Sequence, residues 1–356
     1  MDTDLKYLGW QVGLTYQTKS REGLNRKYLK NLLTEMKDNG MNFISFMMIS
    51  YAFFDPEHDG YTWPVKNPKL KCYKDIHCLN SNPKTEFLRE IIWQAKKMGF
   101  HVQLMMNWGI WNPTKICLGY PEAQVQMINE GKETAYWVHC PDNKDAWQCG
   151  LDEVKDLLEY YQGIDSYAFE CIRYEGWNYC FCPDTKYRFY KETGEKLEGG
   201  IPTLTHQWKA LNIFHHLKNY VSYIKKISPE VECWLFTEGE PEQYHAPFLI
   251  QKSGLDGIMP QFHFLTKKNQ VAVLMEYLNL SEIPLIIHFD TRKPFTHYSI
   301  PAKTPQIIRN IGEAIIENSC DKLKGIVFFN EVATPKKNKK AVYKLVRKWH
   351  KDGLLK

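Results

Sequence analysis

The chain has 356 residues, of which 44% are hydrophobic and 24% charged, a composition typical of a globular protein with a sizeable core. Its net charge of +5 is small for this length and the basic residues are spread along the chain, which argues against a nucleic-acid-binding protein. The sequence starts without the basic and apolar regions of a signal peptide and contains no apolar run long enough to cross a membrane, so we expect a cytoplasmic protein.

Short runs of β-branched and aromatic residues alternate with helix-like patterns along the whole chain. Near-continuous apolar runs of this kind are typical of parallel strands that are buried on both faces. The predicted strands are Leu8–Tyr16, Met41–Ser50, His101–Trp108, Ser166–Ile172, Val231–Glu238, Gly257–Phe264, Pro284–Asp290 and Gly325–Glu331.

Between the strands the apolar residues recur with the period of a helix. Thr304 before Pro305 is typical of a helix start, and Gly40 and Gly99 are typical of helix ends. A last helix is predicted over Ala341–Lys351. The clearest apolar sets are Leu29, Leu32, Leu33 and Met36, and Leu88, Ile91, Ile92 and Ala95.

A strand followed by a helix, repeated about eight times, predicts a single-domain (β/α)₈ barrel over residues 1–356. The links from strand to helix after strands two, three and four are long and polar, whereas the links from helix to strand are short. This asymmetry is typical of a barrel whose site lies at the carboxyl ends of its strands. A doubly wound open sheet is the alternative. No strand is followed by a glycine-rich phosphate-binding turn, so the sequence predicts no nucleotide cofactor.

Polar residues follow the predicted strands at their carboxyl ends. Paired carboxylates in such a place can perform glycoside hydrolysis, in which one protonates the leaving oxygen and the other attacks or activates water. Alternation along strand four puts Glu170 on the face opposite Tyr167 and Phe169, and therefore toward the barrel interior. We predict Glu170 and Asp290 as the catalytic pair, with Glu238 in reserve.

Aromatic, basic and amide side chains at the same end are candidates for binding a sugar. The acidic candidates also have structural alternatives: Glu170 can pair with Arg173, Asp290 can pair with Arg292, and Glu331 can close the barrel. The predicted substrate-binding residues are Arg173, Tyr174, Trp177, Trp108, Asn107, His263, His288 and Glu331.

Cysteines also occur in the loops that follow strands three and four. His139, Cys140, Cys180 and Cys182 could form a tetrahedral zinc site if the two loops meet. The C-x-C spacing is weaker evidence than a C-x-x-C pair, and the favoured interpretation is that the 10 cysteines are mostly reduced thiols and that no metal is bound.

The run HCPDNKDAWQCG to FYKETG, residues 139–194, resembles hypothetical glycosyl hydrolase barrel families, which carry a CP-x-N stretch, an acidic strand four with an RY pair, and a C-x-C loop. The resemblance places the strand-four acid at Glu170 and the RY pair at Arg173 and Tyr174. This chain has Glu175 where proline is usual, and Lys186 and its neighbours where a third cysteine stands. GLDGIMPQFHF, residues 254–264, resembles the strand-six pattern of these families.

The cysteine-rich loop is also similar to that of bacterial β-galactosidase barrels, in which the strand-four glutamate acts as the acid. Together these features predict a glycoside hydrolase that acts on a small oligosaccharide or glycoside, with a carbohydrate as its partner rather than a nucleic acid or a membrane. The alternatives are a sugar-binding barrel without catalysis and a metal-dependent hydrolase.

Overall fold

The computed structural model describes the chain in separate ranges. Eight parallel strands form a closed barrel in which the order of strands around the ring follows the chain. The described ranges are 5–13, 26–50, 60–61, 63–70, 87–108, 119–120, 122, 126–129, 132–170, 172–174, 180–197, 202–237, 247–262, 267–292 and 303–355.

The barrel strands agree in number and order with the sequence prediction and differ from it at their ends. The ring closes where β1 pairs with β8, with Tyr7 opposite Gly325. The strands are β1 (Tyr7–Gly13), β2 (Phe43–Met47), β3 (His101–Asn107), β4 (Ser166–Glu170), β5 (Glu232–Thr237), β6 (Gly257–Phe262), β7 (Leu285–Asp290) and β8 (Leu323–Phe329).

Helices follow the strands and cover the outside of the barrel. Helix α5 is 26 residues long, whereas α6 has only four. The helices are α1 (Arg26–Asp38), α2 (Leu88–Lys97), α3 (Lys144–Tyr160), α4 (Pro183–Thr193), α5 (Pro202–Ile227), α6 (Pro247–Ile250), α7 (Lys267–Leu280), α8 (Pro305–Glu317) and α9 (Lys336–Lys351). None of the helices in the described parts of the chain combines the length and apolarity needed to cross a membrane.

Side-chain alternation decides which residues face the barrel interior. Tyr167 and Phe169 of β4 point outward, where both rings pack against Tyr220 of α5. Trp10 and Phe328 point outward in the same way, against α9. The residues between them therefore face inward, as predicted for strand four.

Several boundaries differ from the prediction. Strand β8 starts two residues earlier than predicted and ends at Phe329, so Asn330 and Glu331 lie beyond it. Helix α9 begins at Lys336, five residues before the predicted start, because Pro335 occupies its N-cap position. The predicted ends of strands one, five and six, at residues 14–16, 238 and 263–264, lie outside the described residues.

The long connections after β2 and β3 contain two small antiparallel sheets that the sequence did not predict. Ile49–Ser50 pairs with Gly60–Tyr61, and Gln126–Asn129 pairs with Lys132–His139. The second hairpin leads directly to Cys140 and the start of α3. The Cys140 Sγ lies 3.6 Å from the Cys182 Sγ at the start of α4.

The amino-terminal end of the barrel is filled by a polar cluster. The Tyr7 hydroxyl and the Trp234 indole N–H donate to the Glu232 carboxylate, at 3.2 and 3.0 Å. His101 Nε2 lies 2.8 Å from the Ser166 hydroxyl. The polar groups at this end form hydrogen bonds with one another. A functional site is therefore expected at the opposite end of the barrel, where the strands have their carboxyl ends.

Candidate active site

Glu170 is the last residue of β4 and lies at the carboxyl end of the barrel. Its Oε1 accepts a hydrogen bond of 2.8 Å from the amide of Gln261 on β6, and its side chain is partly exposed. Since β5 lies between β4 and β6, this bond spans the interior of the barrel mouth. Glu170 therefore points inward, in agreement with the alternation along β4.

Asp290, the last residue of β7, is buried and forms a two-point ion pair. Arg292 Nε lies 3.0 Å from Asp290 Oδ1 and Arg292 Nη2 lies 2.9 Å from Oδ2. The guanidinium also covers the ring of Phe329, 4.2 Å from its centroid. Both carboxylate oxygens are thus held in a fixed orientation by one arginine. The pairing with Arg292 is the structural alternative that the sequence left open.

His288 of β7 is a neighbour of both Gln261 and Asp290. It is paired in register with Gln261 of β6, which donates a hydrogen bond to Glu170. It also lies two residues before Asp290, on the same face of β7. Its Nε2 lies 2.8 Å from Gln11 Oε1 of β1, and its ring packs edge-on against Phe236. The inner face of the mouth therefore carries, on three strands, Glu170, Gln261, His288 and Asp290.

Three predicted binding residues are buried and packed against other parts of the protein. Trp108 is buried, with its ring 5.5 Å from that of Trp147, and a Cβ added to Gly150 would touch its indole nitrogen. This is a core position against α3 rather than an open stacking face. Glu331 accepts a hydrogen bond of 2.5 Å from Tyr28 and is ion-paired with Lys339, so it joins the end of β8 to α1 and α9.

The third residue, Tyr174, is also buried and belongs to a network around Asp142. Its hydroxyl donates to Asp142 Oδ2 at 2.6 Å and accepts from Asn212 of α5. Burial opposes the charge of Asp142, but hydrogen bonds and charge from His216, with donors such as Tyr174, hold the pKa of Asp142 below its usual range. Burial, followed by the negative charge of Asp142, raises the pKa of Tyr174 well above its usual value.

The remaining predicted residues divide into two groups. Arg173 is partly exposed in the segment just after β4, and Asn107 ends β3 opposite Glu170 in the strand register. Glu238, Trp177 and His263 lie outside the described residues, as does the neighbouring Trp111.

The sequence-based prediction gave no role to Gln261, which lies within the predicted strand Gly257–Phe264. It also missed Asp142, which lies in a loop where no periodicity marks a buried side chain. A carboxylate between a cysteine and a helix start was the available signal, but its partners lie up to 74 residues away in the chain.

Among the residues that the structure describes, three buried cysteines are grouped closely enough to hold a metal. The two loops do meet, as the zinc alternative requires, and bring together the sulfurs of Cys140, Cys180 and Cys182 within 4.8 Å of one another. His139, which the zinc hypothesis included, is not part of this group in the described parts of the chain.

Solved structures with a similar fold include TIM-barrel glycoside hydrolases. The PgaB (BpsB) glycoside hydrolase domain from Bordetella bronchiseptica superimposes with a TM-score of 0.72 and 12% identity over 96% of this chain and 99% of that one. A β-galactosidase from Bacillus circulans sp. alkalophilus gives 0.68 and 13% over 99% of this chain. A β-mannanase from the blue mussel Mytilus edulis gives 0.52 and 10%, over 97% of this chain and 91% of that one.

The similarity to these structures is limited to the fold, because the sequence identities are 10–13%. The chain spans 57% of the length of the Bacillus β-galactosidase. No protein-family model matches the sequence, and no curated protein matches it either.

Proposed function

We propose that this protein is a glycoside hydrolase that cleaves an O-glycosidic bond of a small oligosaccharide or glycoside. The observation that carries the proposal is the position of Glu170, a partly exposed carboxylate on the inner face of the barrel mouth, bonded to Gln261. The solved structures with this fold include a β-galactosidase and a β-mannanase, which supports chemistry on sugars.

Glycoside hydrolysis needs two carboxyl groups, one that gives a proton and one that attacks the sugar or activates water. Glu170 and Asp290 are the last residues of β4 and β7, and both face the interior of the same barrel mouth. We therefore propose them as the catalytic pair, with Glu238 in reserve. Arg173 and His288 bind the sugar.

Replacing Glu170 with Gln tests the assignment. A panel of aryl glycosides is first screened for release of the chromophore by the unaltered protein. Glu170→Gln should then lower kcat about 10²- to 10⁴-fold, the usual contribution of a positioned acid or base. Glu232→Gln is the matched control, since Glu232 lies inside the same barrel at its opposite end and should leave turnover nearly unchanged. Near-normal turnover by Glu170→Gln would remove Glu170 from the mechanism.

A sugar-binding barrel without catalysis is the second candidate, and the Asp290–Arg292 pair favours it. Both oxygens of Asp290 are engaged by Arg292, an arrangement that can be purely structural. Such a protein would be stabilised against heat by sugars while releasing no chromophore from any glycoside of the panel.

A further inference from the structure

We propose that the exposed face of helix α9 binds a linear acidic polysaccharide, a chain of uronic acid sugars. The helix carries eight Lys and Arg residues and no acidic residue. Since the whole chain has a net charge of +5, the rest of the chain has a net charge of −3. The small overall charge therefore results from one strongly basic helix and a slightly acidic remainder. The choice of a saccharide rests on the proposed function, whereas the binding surface does not.

The basic side chains of α9 form one continuous stripe on the protein surface. All eight exposed residues of the helix are Lys, Arg or His. The basic stripe consists of Lys336, Lys337, Lys340, Lys344, Arg347 and Lys351. It covers an arc of about 100° and a length of about 22 Å, at 3.6 residues per turn and 1.5 Å per residue. Among the residues that the structure describes, carboxylates pair with Lys339 and Lys348 of α9 but with no member of the stripe.

The opposite face of α9 is fixed to the barrel. Trp349 stacks on Phe328 of β8, with ring centroids 6.5 Å apart, and Tyr343 packs edge-on against Trp10 of β1. The apolar side chains of the helix are therefore used in the core, and the stripe is held in place on the outer surface. Binding to it needs no rearrangement of the protein, which lowers the cost of association.

The stripe runs from the side of the barrel mouth to the opposite end. Near its first residues, Lys339 is ion-paired with Glu331, which lies just beyond the carboxyl end of β8. At the far end, His350 Nε2 lies 2.6 Å from the carbonyl oxygen of Gly40, which precedes the amino end of β2. A polymer bound along the stripe therefore has one end on the side of the proposed active site.

Acidic residues border the stripe and favour a narrow partner. Lys348 Nζ donates to Asp352 Oδ2 at 2.8 Å. This hydrogen bond, and to a smaller extent the charges of Glu313 and Glu317 on α8, raise the pKa of Lys348. A flat anionic membrane would meet these carboxylates, and α9 exposes no apolar side chain that could anchor in the lipid. A single polyanionic chain can follow the stripe without meeting them.

A single-stranded nucleic acid is the other linear polyanion to consider. Such strands combine a basic groove with exposed aromatic rings on which the bases stack. Both aromatic residues of α9, Tyr343 and Trp349, are buried. A polyuronate carries one carboxylate on each sugar and can bind through regularly spaced cations alone. The stripe supplies such cations, since Lys336, Lys340 and Lys344 follow one another at about 6 Å along the helix.

Calorimetric titration of the full-length protein with polygalacturonate tests the proposal. The protein should bind this polymer at low ionic strength and lose affinity as sodium chloride is added, because the contacts are between exposed charges. The stripe variant combines Lys340→Gln, Lys344→Gln and Lys351→Gln. It should bind about tenfold or more weakly, because three positive contacts are removed.

The control variant has the same change in charge on another side of the barrel. It combines Lys191→Gln on α4 with Lys218→Gln and Lys226→Gln on α5, all at exposed positions, and should keep its affinity. Equal affinity of the stripe variant and the unaltered protein, an equal loss in the control variant, or equal binding of neutral dextran would overturn the proposal. So would stripe-dependent binding of oligo(dT) or of phosphatidylserine vesicles that is tighter than the binding of polygalacturonate.

The aryl glycoside panel separates this proposal from the proposed function. The stripe variant should release the chromophore as fast as the unaltered protein, since no member of the stripe belongs to the proposed active site. Hydrolysis without stripe-dependent binding of polygalacturonate overturns the stripe proposal alone. Stripe-dependent binding without hydrolysis of any glycoside supports the stripe and removes the glycosidase.

Discussion

At the scale of single residues, the titratable group with the clearest consequence for stability is His101 at the amino-terminal end of the barrel. Burial lowers the pKa of His101 to about 4, against the opposing charges of Asp165 and Glu232, while Lys6 and Lys96 lower it further. Between about pH 6.5 and pH 4 the unfolded chain therefore binds a proton at this residue that the folded chain does not. The free energy of unfolding must fall as the pH falls through this window.

The prediction at this scale is that His101→Gln flattens the acid limb of the stability curve. The unaltered protein should lose up to about 3 kcal/mol through His101 between pH 6.5 and pH 4, and the variant should lack that contribution. A glutamine amide can still bond to Ser166, which limits the cost at neutral pH. Urea unfolding at a series of pH values measures the slope. His215→Gln, at an exposed histidine of α5, is the control, and an equal slope in all three proteins would contradict the prediction.

At the scale of secondary-structure elements, local sequence signals identified helix starts and ends well. Thr304 caps α8, with its Oγ1 accepting from the N–H of Ile307 at 3.2 Å, and Pro305 occupies the first turn, as predicted. Gly40 and Gly99 adopt the left-handed conformation, at φ of +82° and +81°, that ends α1 and α2. These features could be predicted because they depend on neighbours within four residues.

The capping role of Thr304 gives a prediction at this scale. Thr304→Ala should lower the free energy of unfolding by about 1 kcal/mol, because one N–H at the start of α8 loses its partner. Thr34→Ala on α1 is the matched control: that hydroxyl is also exposed, but it bonds to the Lys30 carbonyl within a helix. Alanine there should leave stability unchanged or raise it by a few tenths of a kcal/mol. Chemical denaturation followed by circular dichroism compares the two, and a smaller loss for Thr304→Ala than for Thr34→Ala would count against the cap.

At the scale of the whole molecule, the barrel could be predicted from the sequence, but most of the contacts in its mouth could not. The eight strands follow from apolar runs, and the inward direction of Glu170 follows from alternation along β4. The bond from Gln261 to Glu170 joins residues 91 positions apart, and the burial of Tyr174 depends on Asp142 and on α5. Such contacts depend on which strands, loops and helices the closed barrel brings together, and no local sequence pattern records that.

Closure of the ring depends on the close approach of β1 to β2 at Gly9, a position that the sequence marks only by its glycine. A Cβ at Gly9 of β1 would lie 1.6 Å from the Phe43 carbonyl oxygen on β2, so a side chain there must push two paired strands apart. Because that atom is backbone in a closed barrel, the neighbouring strand cannot move aside without disturbing the whole ring. A methyl group at this position is therefore expected to destabilise the whole barrel and not β1 alone.

Gly9→Ala should accordingly destabilise the protein by about 3 kcal/mol or more, the upper range for overpacking a core. Gly163→Ala is the comparison: Gly163 has φ +79° but nothing within 4 Å of the added Cβ, so alanine there should cost only about 1 kcal/mol of conformational strain. Urea unfolding followed by tryptophan fluorescence gives both values. If Gly9→Ala were as stable as Gly163→Ala, β1 and β2 could not be packed as closely as the register of Gly9 with Phe43 requires, and the ring would have to close differently.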